Sequence, residues 1–503
     1  MLKRIFSRLE SIHIWLIIGG WIALLAAVIW VLLPSQYRIG MRYTFDIDEL
    51  FQINAVYHMR QGAFPYRDFL FPYTPIMQWI LLPFTQTTSM MQTLETARLV
   101  AFVLYCARLI VTGIISVSLL GVPFGFLAVV GLLIDPFTVF SGLQFRPDTL
   151  AAVLESCAVL SFLWYRRKQA TPAALVFGFF VGTMVVASLK SVPVAVGLGI
   201  GYVFFTKRQS FRSSLPMLIA ALSPLCIFAG IMIHNGVLLQ MLQAVVLDAK
   251  AINDSLLYPL QILNFYWPVN WYLYGYGFRS PLWYFEFLLP LTALSGIIVI
   301  FFGSIDTRVR HNILPLAVMA LLQSGSLLFI RSIFIQYHLL SNWLLILLAV
   351  WFLKYLYGRI VSYHRLLVIP LIIGMCAAIY VLVTTEVTVN TERENTLSYD
   401  AEIADFANHH SHIPEGASVY PGLFWRTNGA YIGYGWNIGD LPKSVLAQQG
   451  GLEILRSKNT VHYLYLPAKQ KELLPLHIQS YIDNNFTRHQ KDADLWVRGT
   501  TDY

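Results

Sequence analysis

Charge is the scarcest property of this chain. Only 12% of its 503 residues are Asp, Glu, Lys or Arg, against about a quarter in a soluble globular domain. Cysteine is scarce as well. Cys106, Cys157, Cys226 and Cys376 all fall inside predicted membrane helices and share no metal-ligand spacing, so neither a disulfide framework nor a cysteine metal site is expected. Internal repeats and low-complexity tracts are also missing, and no basic face interleaves with aromatics, so nucleic acid is not a partner.

Apolar residues fill the space that charge leaves. They make up 57% of the chain, and the mean hydropathy is +0.60, which identifies a polytopic integral membrane protein. The formal net charge of +8 is gathered in short clusters between apolar segments. These are Lys3, Arg4 and Arg8; Arg166, Arg167 and Lys168; Lys207, Arg208 and Arg212; Arg308 and Arg310; and Lys354, Arg359 and Arg365. Such clusters keep their loops cytoplasmic by the positive-inside rule.

With the N-terminus inside, the apolar segments thread as about eleven spans. They are Ile14–Leu33, Arg98–Leu120, Phe124–Phe140, Leu150–Tyr165, Ala173–Leu189, Val192–Phe205, Leu215–Ile233, Leu282–Phe302, Ile313–Ile330, Leu339–Leu353 and Leu366–Thr385. The first is long for a cleaved signal and reads as an uncleaved anchor. Counting Pro75–Pro83 as a further span would put the basic clusters outside. It is therefore placed on the outer surface as an interfacial helix with Trp79 at headgroup level. The outer face then receives Pro34–Ala97, Ser141–Thr149, Lys190–Ser191, His234–Pro281, Arg331–His338 and everything after Thr385.

Residues 1–385 thus form a membrane domain, and residues 386–503 a small extracytoplasmic α/β domain. In the latter, β-like runs at Ala417–Tyr420 and Val461–Leu466 alternate with helix-like stretches at Asp400–His409 and Leu452–Ser457. The expected fold class is a polytopic α-helical bundle with interfacial helices and this appended domain.

The polar residues crowd the outer face. Thr44–Gln78 holds Asp46, Asp48, Glu49, Arg60, Arg67 and Asp68 beside a span, where carboxylates are costly and usually serve chemistry or ion handling. Asp48 and Glu49 open an amphipathic run that ends at Gly62. Acids at a helix N-terminus also answer the helix dipole, which accounts for one acid better than for three. Arg146-Pro147-Asp148 marks an outer turn, where Asp148 serves equally as a helix cap. Lys190 follows an apolar span and, taken alone, reads as a snorkelling anchor. Arg331 and Gln336-Tyr337-His338 sit at the outer ends of two further spans. Together they gather acids and cations around one outer cavity. Arg108 and Glu155 lie within predicted helices and are expected to face the bundle interior. His409, His410 and His412 lack acidic or cysteine partners, so no metal is assigned there.

In order and sidedness these residues resemble the GT-C superfamily of polytopic glycosyltransferases, near the protein O-mannosyltransferases and lipid A aminoarabinose transferases. The resemblance rests on Asp48-Glu49, Gly62, Tyr66-Arg67-Asp68 with Pro72 and Pro75, then Arg146-Pro147-Asp148, and Lys190. It covers the membrane portion. The chain departs from it at Thr74, where many relatives place Lys or His before the proline, so another residue must supply that charge.

The resemblance implies an inverting transfer of a sugar from a polyprenyl-phosphate donor to an acceptor hydroxyl on a glycan, lipid or protein, outside a prokaryotic inner or plasma membrane. It implies catalytic roles for Asp48, Glu49 and Asp148. Donor-phosphate contacts would come from Lys190, Arg331, Arg146, Arg67 and His338, and a pocket from Asp46, Tyr66, Asp68 and Tyr337. No cofactor is assigned, and a divalent cation stays open, since relatives differ in needing one. The rival reading is a transporter or flippase of lipid-linked sugars, which would thread polar groups through the bilayer midplane.

Overall fold

The computed structural model describes residues 2–43, 47–68, 71–85, 90–205, 211–248, 280–329, 335–363 and 367–396. Towards the C-terminus it describes 418–419, 463–465, 471, 476–489 and 492–498. Its helices are α1 (Leu2–Arg42), α2 (Ile47–Arg60), α3 (Ile76–Leu81), α4 (Met90–Leu120), α5 (Val122–Ile134), α6 (Pro136–Gly142), α7 (Pro147–Lys168) and α8 (Thr171–Ala187). A 3-10 turn at Leu189–Ser191 leads into α9 (Val192–Phe205) and α10 (Phe211–His234). Then follow α11 (Leu238–Leu242), α12 (Pro281–Phe302), α13 (Thr307–Ser326), α14 (Ile335–Tyr363) and α15 (Val368–Thr396).

Among the described residues, seven helices are long and apolar enough to cross a membrane, and a bent pair makes an eighth. The seven lie in α1, α4, α7, α10, α12, α14 and α15; the pair is α5 with α6. Of the remaining expected spans, Thr171–Ala187 and Leu189–Phe204 are shorter apolar helices, and α13 opens with the polar run Thr-Arg-Val-Arg-His-Asn. Pro75–Pro83 forms no span. It is the short helix α3 followed by a 3-10 turn at Leu82–Phe84, with Trp79 against Phe228 of α10.

The 63° bend between α5 and α6 has a local cause. Pro136 drives Asp135 out of the helical region, to φ −69° and ψ 110°. The Asp135 carboxylate then caps α6 by accepting from the Thr138 N–H at 3.1 Å. Asn342 on α14 donates to Asp135 at 3.2 Å and to Glu286 on α12 at 3.3 Å, so one amide ties α12 and α14 to the break. Elsewhere the bundle closes through glycine. A Cβ on Gly178 or Gly182 of α8 would lie 2.1 Å from the Met217 or Ala221 carbonyl oxygen of α10. Only small residues at this spacing let two helices approach so closely. The central core fills with Phe162, Leu198, Ala293, Met319, Trp343, Leu344 and Leu347.

The two ends of α7 differ in chemistry. Arg166, Arg167 and Arg310 share one end, where they donate to the carbonyls of His311, Ser118 and Gly303. The turns that carry Asp48, Arg146, Asp148, Lys190 and Tyr337 share the other.

Near the C-terminus, β1 (Ser418–Val419), β2 (Tyr463–Tyr465), β3 (Phe486–His489) and β4 (Asp492–Arg498) form a sheet of order β1-β2-β4-β3. The β1–β2 pair is parallel and the other pairs are antiparallel. Helix α16 (Leu476–Asn485) runs directly into β3. Trp496 is buried there, with Lys471 and Arg488 over its ring at 4.5 and 5.0 Å. Strands β1 and β2 fall within the two expected β-like runs and β3 and β4 beyond them, while Asp400–His409 and Leu452–Ser457 lie outside the described residues.

Candidate active site

Helix α2 begins at the expected acids, and they part company at once. The Glu49 side chain is 1% exposed. It accepts from Arg98 Nε at 3.0 Å, Arg98 Nη2 at 2.7 Å and the Phe145 N–H at 3.1 Å. Arg98 in turn donates to the carbonyls of Met41 and Tyr43. This buried pair fastens α2 to α1, α4 and the turn before α7, so the structure gives Glu49 a tethering position. The Asp48 side chain, one residue earlier, is 40% exposed and takes a salt bridge from Arg146 Nη1 at 2.6 Å. It is the acid that an incoming molecule can reach.

Asp148 is not the cap of α7. Arg146 holds the N-cap position in extended geometry, with Pro147 opening the helix. The Asp148 carboxylate is therefore free to turn across the bundle, where it accepts from Lys190 Nζ at 2.7 Å and from Ser188 Oγ at 3.3 Å. Lys190 also sits 4.2 Å from the Tyr337 ring centroid, within cation–π range. Tyr73 links the two acid–cation pairs: its phenol senses Asp48, Tyr337, Arg146 and Asp148. Burial first, and the Asp48 carboxylate second, push that phenol well above its ordinary range, so it stays a neutral hydroxyl.

The stretch before Tyr73 is built to present it. Gly62, at φ +84°, ends α2 in a backbone region that a Cβ would strain. Tyr66 is also left-handed, at φ 68°, and its hydroxyl donates to the Tyr73 carbonyl. Arg67 and Asp68 pair with each other at 2.8 Å, half-exposed, and Asp68 accepts from the Phe64 N–H at 2.7 Å. The Arg67 hydrogen bond holds the Asp68 carboxyl below its usual range. The Tyr-x-Asp motif thus shapes the turn, while Arg67 and Asp68 stay outside the Asp48–Lys190 cluster. Thr74, the departure from the resemblance, donates its hydroxyl to the Ala187 carbonyl at 2.8 Å and pins the loop to the end of α8.

His338 is 4% exposed and stacks on Phe137, with ring centroids 4.8 Å apart. Burial in α2 lowers the His58 imidazole to about 4. Asp46, Arg331, His409, His410 and His412 lie outside the described residues. Among the described residues no three His, Cys, Asp or Glu side chains group as metal ligands. Reading the sequence missed Arg98, Tyr73 and Ser188. Of these only Arg98 left a signal, a lone cation at the outer end of a predicted span, as Lys190 is.

No protein-family model matches the chain, and no curated protein matches it. Solved structures do. The chain is similar to the crystal structure of ArnT from Cupriavidus metallidurans bound to undecaprenyl phosphate, at 14% identity and a TM-score of 0.51. It is similar also to the apo state of the same protein, at 13% identity and a TM-score of 0.53. Both alignments cover 82% of this chain and 85% of the other. At such identity the likeness is one of fold.

Proposed function

We propose that the chain transfers a sugar from a polyprenyl-phosphate donor to an acceptor hydroxyl, with inversion at the anomeric carbon. The carrying observation is the convergence of Asp48–Arg146 and Asp148–Lys190–Tyr337 at one end of a bundle whose fold is shared with a protein that binds undecaprenyl phosphate.

Asp48 takes the proton of the acceptor hydroxyl as its oxygen attacks the anomeric carbon. The bond from that carbon to the phosphate oxygen breaks on the opposite face, as in an inverting glycosidase. The leaving group departs as prenyl phosphate, whose added negative charge falls beside the Lys190 ammonium. Asp148 and the Tyr337 ring hold that ammonium in place. Arg146 orients Asp48, and Glu49 tethers the helix that carries it. Arg331 extends the cation set, whereas the buried His338 ring, stacked on Phe137, packs rather than carries charge; the reaction as written needs no metal.

The full threading of eleven crossings adds α8, α9 and α13 to the seven long helices and the bent pair. It places the Asp48 end outside, with the C-terminal sheet part of an extracytoplasmic domain over residues 386–503. The test is transfer of radiolabelled sugar from a set of undecaprenyl-phosphate sugars by the purified protein. Product of inverted configuration from the native chain, and none from Asp48→Asn, is expected. Equal turnover by both proteins would refute the assignment.

A further inference from the structure

Beneath the Lys190 cluster lies a second set of polar groups. Arg108 of α4, Glu155 of α7, Ser191 of the 3-10 turn and Trp343 of α14 are all between 0% and 2% exposed. Both Glu155 carboxylate oxygens, Nε and Nη1 of Arg108, Oγ of Ser191 and Nε1 of Trp343 are buried without a hydrogen-bond partner. Only Nη2 of Arg108 is used, donating to the Leu339 carbonyl at 2.6 Å. Yet these groups belong together: Ser191, Arg108, Trp343 and Asp148 are the electrostatic neighbours of the Glu155 carboxylate. Three donor side chains thus surround one acceptor; Ser191 and Trp343 are close enough to act on the carboxylate as donors, yet none meets it in full hydrogen-bond geometry. Buried polar groups in native proteins are satisfied by protein or by ordered water. A buried carboxylate ringed by donors that miss hydrogen-bond geometry is a site for bridging water.

The location gives this set a role. Glu155 follows Asp148 by seven residues on α7, about 10 Å deeper on the same face. Ser191 adjoins Lys190 in the chain, and Trp343 lies on the helix that begins with Tyr337. Glu155 therefore faces, from below, both elements whose upper ends meet in the 4.2 Å contact between Lys190 and Tyr337. From a third side, Gln323 of α13 donates to the Lys190 carbonyl at 3.2 Å.

We propose that Glu155 is the positioning residue of the phosphate-binding cation: through water shared with Ser191, Trp343 and Arg108, it sets the 3-10 turn and α14 so that Lys190 stands against Tyr337. The inference rests on the reading of Lys190 as a donor-phosphate ligand.

Binding of undecaprenyl phosphate to the full-length purified protein tests it. Glu155→Leu is expected to weaken binding about tenfold, and Glu155→Gln, which still bonds to water, less than threefold. Combined with Lys190→Met, Glu155→Leu should add nothing, because it acts through that lysine. Native affinity in a folded Glu155→Leu protein overturns the proposal. So does a Glu155→Gln protein as weak as Glu155→Leu, or a double variant in which the two losses multiply. If Glu155→Leu does not fold, Ser191→Ala decides, since it removes a single hydroxyl. An approximately threefold loss that vanishes in the Lys190→Met background supports the proposal, and unchanged affinity overturns it. Should Lys190→Met itself bind the lipid normally, the reading of the phosphate site fails instead, so the two failures are distinguishable.

Discussion

Asp48 and Glu49 are adjacent carboxylates, and substituting each by its amide should give opposite results. In Asp48→Asn the group lost is 40% exposed and faces an Arg146 side chain that is 8% exposed, so the cost lies between about 1 kcal/mol, as for a surface pair, and about 3–5 kcal/mol, as for stranding a fully buried partner. The thermal midpoint of the detergent-solubilised protein should fall less than in Glu49→Gln. Turnover should fall by roughly 10²–10⁴-fold, the usual contribution of a general base, or about 3–5 kcal/mol of barrier. In Glu49→Gln the lost charge is 1% exposed and answers the equally buried Arg98. Stranding a buried partner costs about 3–5 kcal/mol, which lowers the folded-to-unfolded ratio on the order of 10²–10³-fold or more. Glu49→Gln should therefore lose stability and keep near-native turnover per folded molecule. Parallel melting curves and initial rates, normalised to folded protein, separate the two. A Glu49→Gln protein that melts normally but does not turn over would refute the tethering role. An Asp48→Asn protein that keeps its turnover would refute the base.

Three further outcomes follow from the packing and the charges. Gly182→Leu should force α8 from α10 and destabilise the bundle by at least the usual 1–3 kcal/mol of overpacking, because even a Cβ would meet the Ala221 carbonyl oxygen at 2.1 Å; an unchanged melting point would contradict that contact. His58, lowered by burial from 6.5 to about 4, is neutral in both states above pH 6.5, whereas between 6.5 and 4 only the unfolded chain takes up the proton. Stability should thus fall across that window by about 3 kcal/mol, and a melting-point titration of His58→Gln should be flatter there than the native one. Single cysteines placed at Asp68 and Arg166 should label from opposite sides of the membrane, Asp68 from outside; labelling of position 68 from the cytoplasm alone would sink the threading.

What was legible in the sequence was whatever depends on composition and local spacing. The apolar segments, the start of α2 at Asp48-Glu49, the glycine that ends it and the common end that Asp148 and Lys190 share can all be read along the chain. Pairing could not be read. Asp48 meets Arg146 across 98 residues, and Glu49 meets Arg98 across 49. Nothing in either neighbourhood tells which adjacent acid turns inward. The Tyr66-Arg67-Asp68 motif was visible as a motif, but its work is backbone geometry: a left-handed tyrosine braced on Tyr73. The eleven-span expectation came from hydropathy windows. These could not separate helices long enough to cross alone from α8 and α9, which are short, or α13, which begins polar.

The interior polar groups bear on the choice between a transferase and a transporter. A transporter carries its substrate past polar groups at mid-membrane as one part of the bundle rocks against another. Here the enclosed groups join helices that such a motion would separate. Gln36 of α1 donates to the Leu133 carbonyl of α5 at 2.6 Å and accepts from Tyr105 of α4. Arg108 of α4 donates to α14, and Asn342 of α14 holds both the α5–α6 break and α12. Opening the bundle would strand these groups in a low-dielectric interior, where each unsatisfied polar atom costs on the order of 1–3 kcal/mol. A site at one end asks for no such opening, because a donor whose tail lies in one leaflet reaches Lys190 from the side and an acceptor meets Asp48 from the water. Proteoliposomes with the donor confined to one leaflet separate the cases. Transfer without loss of leaflet asymmetry is expected of the enzyme, whereas scrambling of the lipid that persists in Asp48→Asn would identify a transporter.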